Sequence, residues 1–429
     1  TSTGSCAGRK GGCLNWVHPP DERARIRPPP YAPSGRMRSD TTRHMRSASH
    51  ALINLLRVVV LAIVMTGCGS LGVMAQAQAS AQAPVALDDR NPLVDLWPQV
   101  RIWAETDQAT GIAEILRDPP LFEVPGTAAR TLGMREEGIW LRLPITVTAQ
   151  SNGIWVLDID YPVINQVDMY LVSAGQLVTQ ERVGNLATLR ARAIRSRSLS
   201  FGLTMTPGTE YVLYLRVQNT GALILPITLS KPAEFLERAL AEQMLQGVLF
   251  GLGMCLLVYS LSQWLMLREP LFAKYALLIS GSILFCLLQF GVGAQFLWPG
   301  NRWIELHMGG LSALIAATGS FLFIEQVLVG QDMGPRLSRL MKIGAALTTV
   351  SAIVYALDLI SVLQVTLIVS TLGLAPSLLG LPGALQRARR GDPVGYSFLL
   401  AWLVYAVSTW VLIEVIKGRM DANFWTLHS

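Results

Sequence analysis

Charge is scarce in this chain. Only 15% of its 429 residues are Asp, Glu, Lys or Arg, 51% are hydrophobic, and the mean hydropathy is +0.40. Soluble domains run about 25% charged, so the composition argues against an ordinary cytosolic enzyme. Cysteine is sparse too: five in all, no CxxC pair, and none between residues 84 and 240. That argues against a structural zinc site or a disulfide-stapled domain. The patterns G-x-x-x-x-G-K-[ST], H-E-x-x-H and G-x-S-x-G are all missing, so no phosphate loop, zinc-hydrolase helix or hydrolase elbow is legible. Methionines are scattered, without copper-like clustering. No catalytic residue, no metal site and no cofactor are expected.

The net charge of +6 has a local origin. Residues 1–50 carry nine Lys/Arg and three Asp/Glu, and the rest of the chain is balanced. The charge belongs to a tail, so no nucleic-acid partner is expected. Residues 1–44, rich in Arg, Pro, Gly and Ser, have the composition of a disordered segment, with Met37 and Met45 as candidate starts. From residue 45 the pattern becomes that of a signal peptide spanning 45–83. Arg46 and Arg57 precede the apolar run Val58–Met65, followed by the A-x-A sites Ala75-Gln76-Ala77, Ala79-Ser80-Ala81 and Ala81-Gln82-Ala83. Eight apolar residues are too few to span a bilayer. A competing reading is a lipoprotein site at Met65-Thr66-Gly67-Cys68.

Residues 84–235 read as an exported, all-β sandwich. Strand-like runs fall near 99–104, 139–147, 153–159, 166–173, 176–183, 197–205, 209–217 and 222–229, at sandwich spacing. Turn signals such as Ser151-Asn152-Gly153, Ser173-Ala174-Gly175 and Pro207-Gly208 separate them. Pro144 predicts an edge or a bulge. A period of two places Ile139, Leu141 and Leu143 opposite Trp140 and Arg142. It likewise opposes Val167, Met169 and Leu171 to Asp168 and Tyr170, and Tyr211, Leu213 and Leu215 to Tyr214 and Arg216. The first set in each strand is the expected core. The second mixes aromatics with Arg and Asp, as surfaces that bind sugars or carboxylates do, because flat rings stack and guanidinium forks grip oxygens. A solvated face with cross-strand pairs is the plainer alternative. Trp140, Arg142, Asp168, Tyr170, Tyr214 and Arg216 are the candidate ligand-binding residues.

Residues 236–429 read as a polytopic helical domain. A helix begins at Pro232, and six apolar stretches follow at about 244–266, 275–296, 306–329, 341–360, 361–385 and 394–416, each near the ~20 residues that cross a bilayer. Asp358 and Ser361 mark a hairpin between the fourth and fifth, and Pro376 and Pro382 should kink the fifth. With the β block outside, the inner loops carry Arg268, Lys274, Arg336, Arg339, Lys342, Arg387, Arg389 and Arg390. The outer ones carry Arg302, Lys417 and Arg419, as the positive-inside rule requires. Gly247-x-x-x-Gly251 fits close helix packing, and Gln263, Gln289 and Gln326 fit polar contacts between helices. Glu305 and His307 suit interfacial solvation, and Glu325 and Glu414 suit snorkelling or interhelical hydrogen bonds. Trp298, Trp303, Trp410 and Trp425 fit an outer aromatic belt.

The order of several short motifs resembles the bacterial seven-transmembrane receptors with diverse intracellular signalling modules, over roughly residues 87–429. The matching features begin with Asp107, Ile139-Trp140-Leu141-Arg142, Trp155, Tyr161-Pro162, Asp168-Met169-Tyr170 and Tyr211-Val212-Leu213-Tyr214-Leu215. They continue with Gly247, Gly251, Tyr259, Leu267-Arg268-Glu269-Pro270, Tyr275, Gly291, Arg390-Gly391, Asn423-Phe424 and His428. The resemblance implies a jelly-roll head, similar to carbohydrate-binding modules, that senses a small ligand. It also implies a helical core that relays the state to a cytoplasmic cyclase, kinase or phosphatase module, in cis or in trans. Six crossings from an outside start end outside, so a seventh helix and the effector are expected to be missing. The resulting expectation is a multi-pass protein of the bacterial inner membrane with its β domain in the periplasm, whose partners are a carbohydrate or carboxylate ligand, the lipid bilayer and a second copy in a homodimer. Trp140→Ala or Arg142→Ala is expected to weaken ligand binding without unfolding the domain. The alternatives are a non-signalling accessory protein that binds an envelope partner, or a transporter. The helices show no internal repeat of the transporter kind.

Overall fold

The structure, a computed structural model, describes residues 83–105, 110–126, 130–135, 137–185, 194, 196–329, 334–416, 419–422 and 426. The basic tail, the signal-like segment with Cys68, and Asp107, Asn423, Phe424, Trp425 and His428 lie outside those residues.

Two sheets enclose one apolar core in the head. The larger runs in the order β1 (Val85–Leu87), β5 (Ile139–Val147), β10 (Glu210–Gln218), β7 (Gln166–Ser173), β8 (Gln176–Val183), and β3 (Arg101–Ala104) also pairs with β5. The second runs β2 (Leu93–Asp95), β12 (Ile227–Ser230), β6 (Ile154–Ile159), β9 (Leu199–Thr204). A short ribbon joins β4 (Thr131–Met134) to β11 (Ala222–Ile224). The core residues expected from alternation all face inward: Ile139, Leu141 and Leu143, Val167, Met169 and Leu171, and Tyr211, Leu213 and Leu215 meet Trp155, Leu157, Ile159 and Phe201 of the second sheet. Each fully buried aliphatic side chain contributes about 1.5–3 kcal/mol.

Prolines explain two departures from simple strands. Pro144 sits in the break between β3, whose first residue Arg101 is opposite Arg142, and β1, whose first residue Val85 is opposite Ile145. The outer edge of β5 is thus covered by two short strands, and the residue without an N–H lies between them. The run expected as one strand over 222–229 is two. Pro226 divides it, and the chain passes from the β4–β11 ribbon to the second sheet. Strands β1, β2 and β4 were not legible, because three or four residues carry too little alternation to register.

The second sheet runs almost directly into the helices. β12 ends at Ser230 and α2 (Pro232–Leu267) begins at Pro232, with Lys231 alone between them. The bundle continues with α3 (Pro270–Gln289), α4 (Arg302–Ile324), α5 (Pro335–Ala356), α6 (Val362–Leu372), α7 (Ala375–Arg389) and α8 (Pro393–Ile416). Six segments among the described residues are long and apolar enough to cross a membrane, α6 and α7 together forming the fifth. Their break at Gly373–Leu374 sits just before Pro376, whose ring cannot continue the hydrogen-bond ladder. The expected hairpin is present: Asp358 takes φ +58° and Ser361 caps α6 with a reciprocal bond to Gln364.

Glycine packs the bundle, though not where expected. A Cβ on Gly281 would lie 2.4 Å from the Ala316 nitrogen, and one on Gly319 would lie 2.5 Å from the Leu278 nitrogen, so α3 and α4 touch backbone to backbone. At Gly247 and Gly251 a Cβ would meet nothing within 4 Å among the described residues. Glu325 is buried and accepts from Ser338 at 2.6 Å, with Lys342 at 3.5 Å and Lys274 at 3.8 Å, so it is an interhelical tie. Glu414 pairs with Arg419 at 3.5 Å. Glu305 and His307 are buried rather than interfacially solvated: Trp298 donates to Glu305 at 2.7 Å, and His307 Nε2 lies 2.7 Å from Asp358.

Candidate functional site

The larger sheet turns its second face outward, and the strand register lays the candidate residues there in two adjacent rows. Trp103, Trp140, Arg216, Asp168 and Arg182 form one row across β3, β5, β10, β7 and β8. Arg101, Arg142, Tyr214, Tyr170 and Gln180 form the next. All six sequence-derived candidates therefore come together on one surface.

A lid covers half of that surface. Helix α1 (Ile112–Arg117) presses Ile115 onto Trp140, Val172 and Tyr214, and Phe122 tilts over Tyr214 at 6.1 Å. Backbone bonds between Glu123 and Ile102, both 2.8 Å, fasten the lid strand to β3. Trp140 and Tyr214 are consequently buried. The expectation that Trp140→Ala leaves the domain intact meets a fully buried ring: removing it opens a cavity in the layer formed with Ile115, Val172 and Tyr214. The lid residues are far from Trp140 in sequence, and six helical residues give no clear periodic signal.

Beneath the lid runs a chain of alternating charges. Glu105 is buried and accepts from Trp140 Nε1 at 2.8 Å and from Arg216 Nε and Nη2 at 2.7 and 2.8 Å. Arg216 Nη1 lies 3.8 Å from Asp168, which also accepts from Gln166 Nε2 at 2.8 Å and from Arg182 Nε. Glu105 raises the pKa of Arg216, and Asp168 raises that of Arg182. Tyr170 stacks on Trp140 at 5.6 Å, and burial, then Asp168, pushes its hydroxyl pKa up. Glu105 and Arg182 were not among the sequence candidates. Arg182 was findable, since it alternates with Val183 in a recognised strand, whereas Glu105 follows β3 in a connection.

The open part of the face is the end beyond the lid. Arg182 has 63% of its side chain exposed, Gln180 is exposed, and Tyr170, Arg142 and Arg216 are half-buried. An aromatic ring beside cationic forks suits a ligand that carries both a flat apolar patch and oxygens.

The opposite sheet meets the helices. Lys231 is held by Asn152 Oδ1 at 2.7 Å, the Ile154 carbonyl at 3.2 Å and Asp89, and its ammonium lies 4.2 Å from the centre of the Trp155 ring. The Lys231 bond, together with a bond from Ser151, keeps the Asp89 carboxyl below its usual pKa. Arg197, buried ahead of β9, contacts Asp160 at 2.7 Å and donates to Glu242 on α2. Gly291, at the end of α3 with φ +72°, touches the head so closely that a Cβ would lie 2.6 Å from the Arg197 carbonyl. Tyr161 beside it bonds Gln289, and burial pushes its hydroxyl up to about 12. Head and helices thus share buried ion pairs and packing.

Comparison with known families assigns both halves. The family described as 7TMR-DISM extracellular 2 matches residues 97–231, and that described as 7TM diverse intracellular signalling matches residues 242–429. No curated protein matches the chain. Among solved structures, a β-glucuronidase from Ruminococcus gnavus in complex with D-glucuronic acid aligns at 11% identity and TM-score 0.20, covering 31% of this chain and 28% of that one. The apo form of that enzyme aligns at 13% identity and TM-score 0.17, covering 31% and 29%. The chain therefore spans under a third of the enzyme's length.

Proposed function

Because the chain belongs to the seven-transmembrane receptors with diverse intracellular signalling, we propose that its β head senses a small carbohydrate or carboxylate. The ligand docks on the open end of the larger sheet. Tyr170 stacks on its apolar face and Arg182 grips its oxygens, with Arg216 and Asp168 holding those groups in register. The head lies in the periplasm and the helices in the inner membrane of a bacterium. Ligand-driven movement of the head passes into α2 and so into the bundle, biasing it between two packings. A signalling module on the cytoplasmic side, in cis or in trans, reads the result.

The observation that carries this reading is the one-residue connection from β12 to α2. A rotation of the sheet has no linker in which to dissipate. The test is a thermal-shift screen of the full chain in detergent against neutral hexoses and uronic acids. A ligand that raises the melting temperature is expected to lose its effect in Arg182→Ala, while the unliganded melt falls only modestly, because the buried Asp168 carboxylate loses one partner and keeps Gln166 at 2.8 Å and Arg216 at 3.8 Å. Equal stabilisation of wild type and Arg182→Ala by the same compound would sink the site.

A further inference from the structure

The joint between head and first helix carries an unbalanced charge. A small cavity of about 10 Å³, about the space one water molecule needs, is lined by Asp158, Arg197 and Ser198 from the head and by Phe235, Arg238 and Glu242 from α2. Asp160 joins them through Arg197. Three carboxylates thus face two guanidinium groups, leaving one negative charge when all are ionised. Among the described residues the titratable and charged groups at the joint include Asp158 and Asp160 from β6 and its end, Tyr161 next to Asp160, Arg197 ahead of β9, and Arg238 and Glu242 from α2, with the Lys231–Asp89 pair at the connection from β12 to α2. β9 adds Ser200 beside Asp158, and β12 places the uncharged Thr228 opposite it. Arg197 Nε and Nη1 find no acceptor among the described residues, so its charge rests on the carboxylates around it.

We propose that this joint is a proton-binding site, in which a proton on Asp158 neutralises the cluster and leaves Arg197 free to hold Glu242, latching the head to the first transmembrane helix. Loss of the proton gives Arg197 a second carboxylate within the head. The pull on Glu242 weakens, and the surplus negative charge opposes Glu242 directly. The signal is then gated by the pH of the compartment that the head faces.

Two further observations support it. Asp158 is buried, and its pKa is raised to about 7, first by desolvation and then by Asp160, against the opposing pull of Ser198, Ser200 and Arg197. Serine hydroxyls also lead to it. Ser196 and Ser198 are 3.0 Å apart, Ser198 and Ser200 are 3.1 Å apart, and Ser200 donates to Asp158 Oδ1 at 3.1 Å. Ser196 and Ser198 lie just ahead of β9 and Ser200 within it, and the three buried hydroxyls form a hydrogen-bonded chain that ends on the Asp158 carboxylate.

The full chain in lipid nanodiscs, titrated with pH, tests the proposal. A protonated-carboxyl C=O stretch in the infrared is expected to disappear with a midpoint well above the ordinary carboxylate range and to be absent in Asp158→Asn. Amide exchange over residues 232–243, corrected for the intrinsic effect of pH, should speed several-fold above that midpoint in wild type and stay flat in Asp158→Asn. A wild-type band that does not titrate, a band unchanged in Asp158→Asn, or a titrating band with flat exchange each overturns the latch. If Asp158→Asn does not fold, Ser200→Ala decides. Losing a bond that favours the charged form should move the midpoint upward, and an unmoved midpoint overturns the assignment. The inference rests on the relay reading, yet the infrared titration and the sugar screen fail independently.

Discussion

Glu105 holds Arg216 in a two-pronged grip, Nε to Oε1 at 2.7 Å and Nη2 to Oε2 at 2.8 Å, while the same carboxylate accepts the indole N–H of Trp140. Residues 111 positions apart in sequence are thereby locked beneath the lid. Glu105→Ala leaves an indole N–H without its acceptor and a largely buried guanidinium with only the longer contact to Asp168, 3.8 Å. A loss of about 3 kcal/mol is expected, read as an earlier unfolding transition in tryptophan fluorescence. Glu105→Gln keeps an acceptor for Trp140 and should lose less. A melt of Glu105→Ala matching wild type would show that the grip is ornamental.

Lys231 is the pivot between sheet and helix, and its partner Asp89 gives the pivot an acid limit. The folded-state pKa of Asp89 lies below the ordinary aspartate value of 3.8. The ion pair therefore adds stability above that value and loses it as pH falls through the depressed folded pKa. The gap in melting temperature between wild type and Asp89→Asn should be present near neutral pH and close below pH 3.8. A gap that persists in acid would assign the effect to packing.

The glycines of the bundle separate intra-chain packing from free surface. Gly281→Leu drives a side chain into the Ala316 backbone and should abolish a monodisperse, folded chain in detergent, because overpacking a backbone contact has no relaxed solution. Gly247→Leu, at a position with open space, should leave the chain folded. Size-exclusion profiles of the two variants check this, and an aggregated Gly247→Leu would assign that face to a packing partner.

Much of this architecture was legible from local pattern. The period of two in 139–147, 166–173 and 209–217 placed each core residue on its proper side, because strand geometry alone sets which face a side chain takes. The apolar stretches fixed six spans, since bilayer thickness sets helix length without reference to neighbours. The hairpin at Asp358 and Ser361 followed from local turn and cap chemistry.

The candidate face was legible as a set of residues but not as a site. Alternation grouped Trp140 with Arg142 and Asp168 with Tyr170, yet it could not tell which were open. Trp140 and Tyr214 lie under a six-residue helix whose placement depends on contacts with β5, β7 and β10. Arg142, Tyr170 and Arg182 are left toward solvent by the same arrangement.

Sequence by itself determined a sheet-built head, its core face and a membrane base of apolar helices, because each follows from periodicities and lengths within a few turns of chain. Tertiary structure alone decided that Glu105 completes the charge chain, that Arg197 reaches Glu242 across 45 residues, and that Asp158 and Asp160 crowd one guanidinium. Those pairings join groups distant along the chain, and burial, which sets how strongly each charge is felt, exists only once the two layers and the first helix have closed around them.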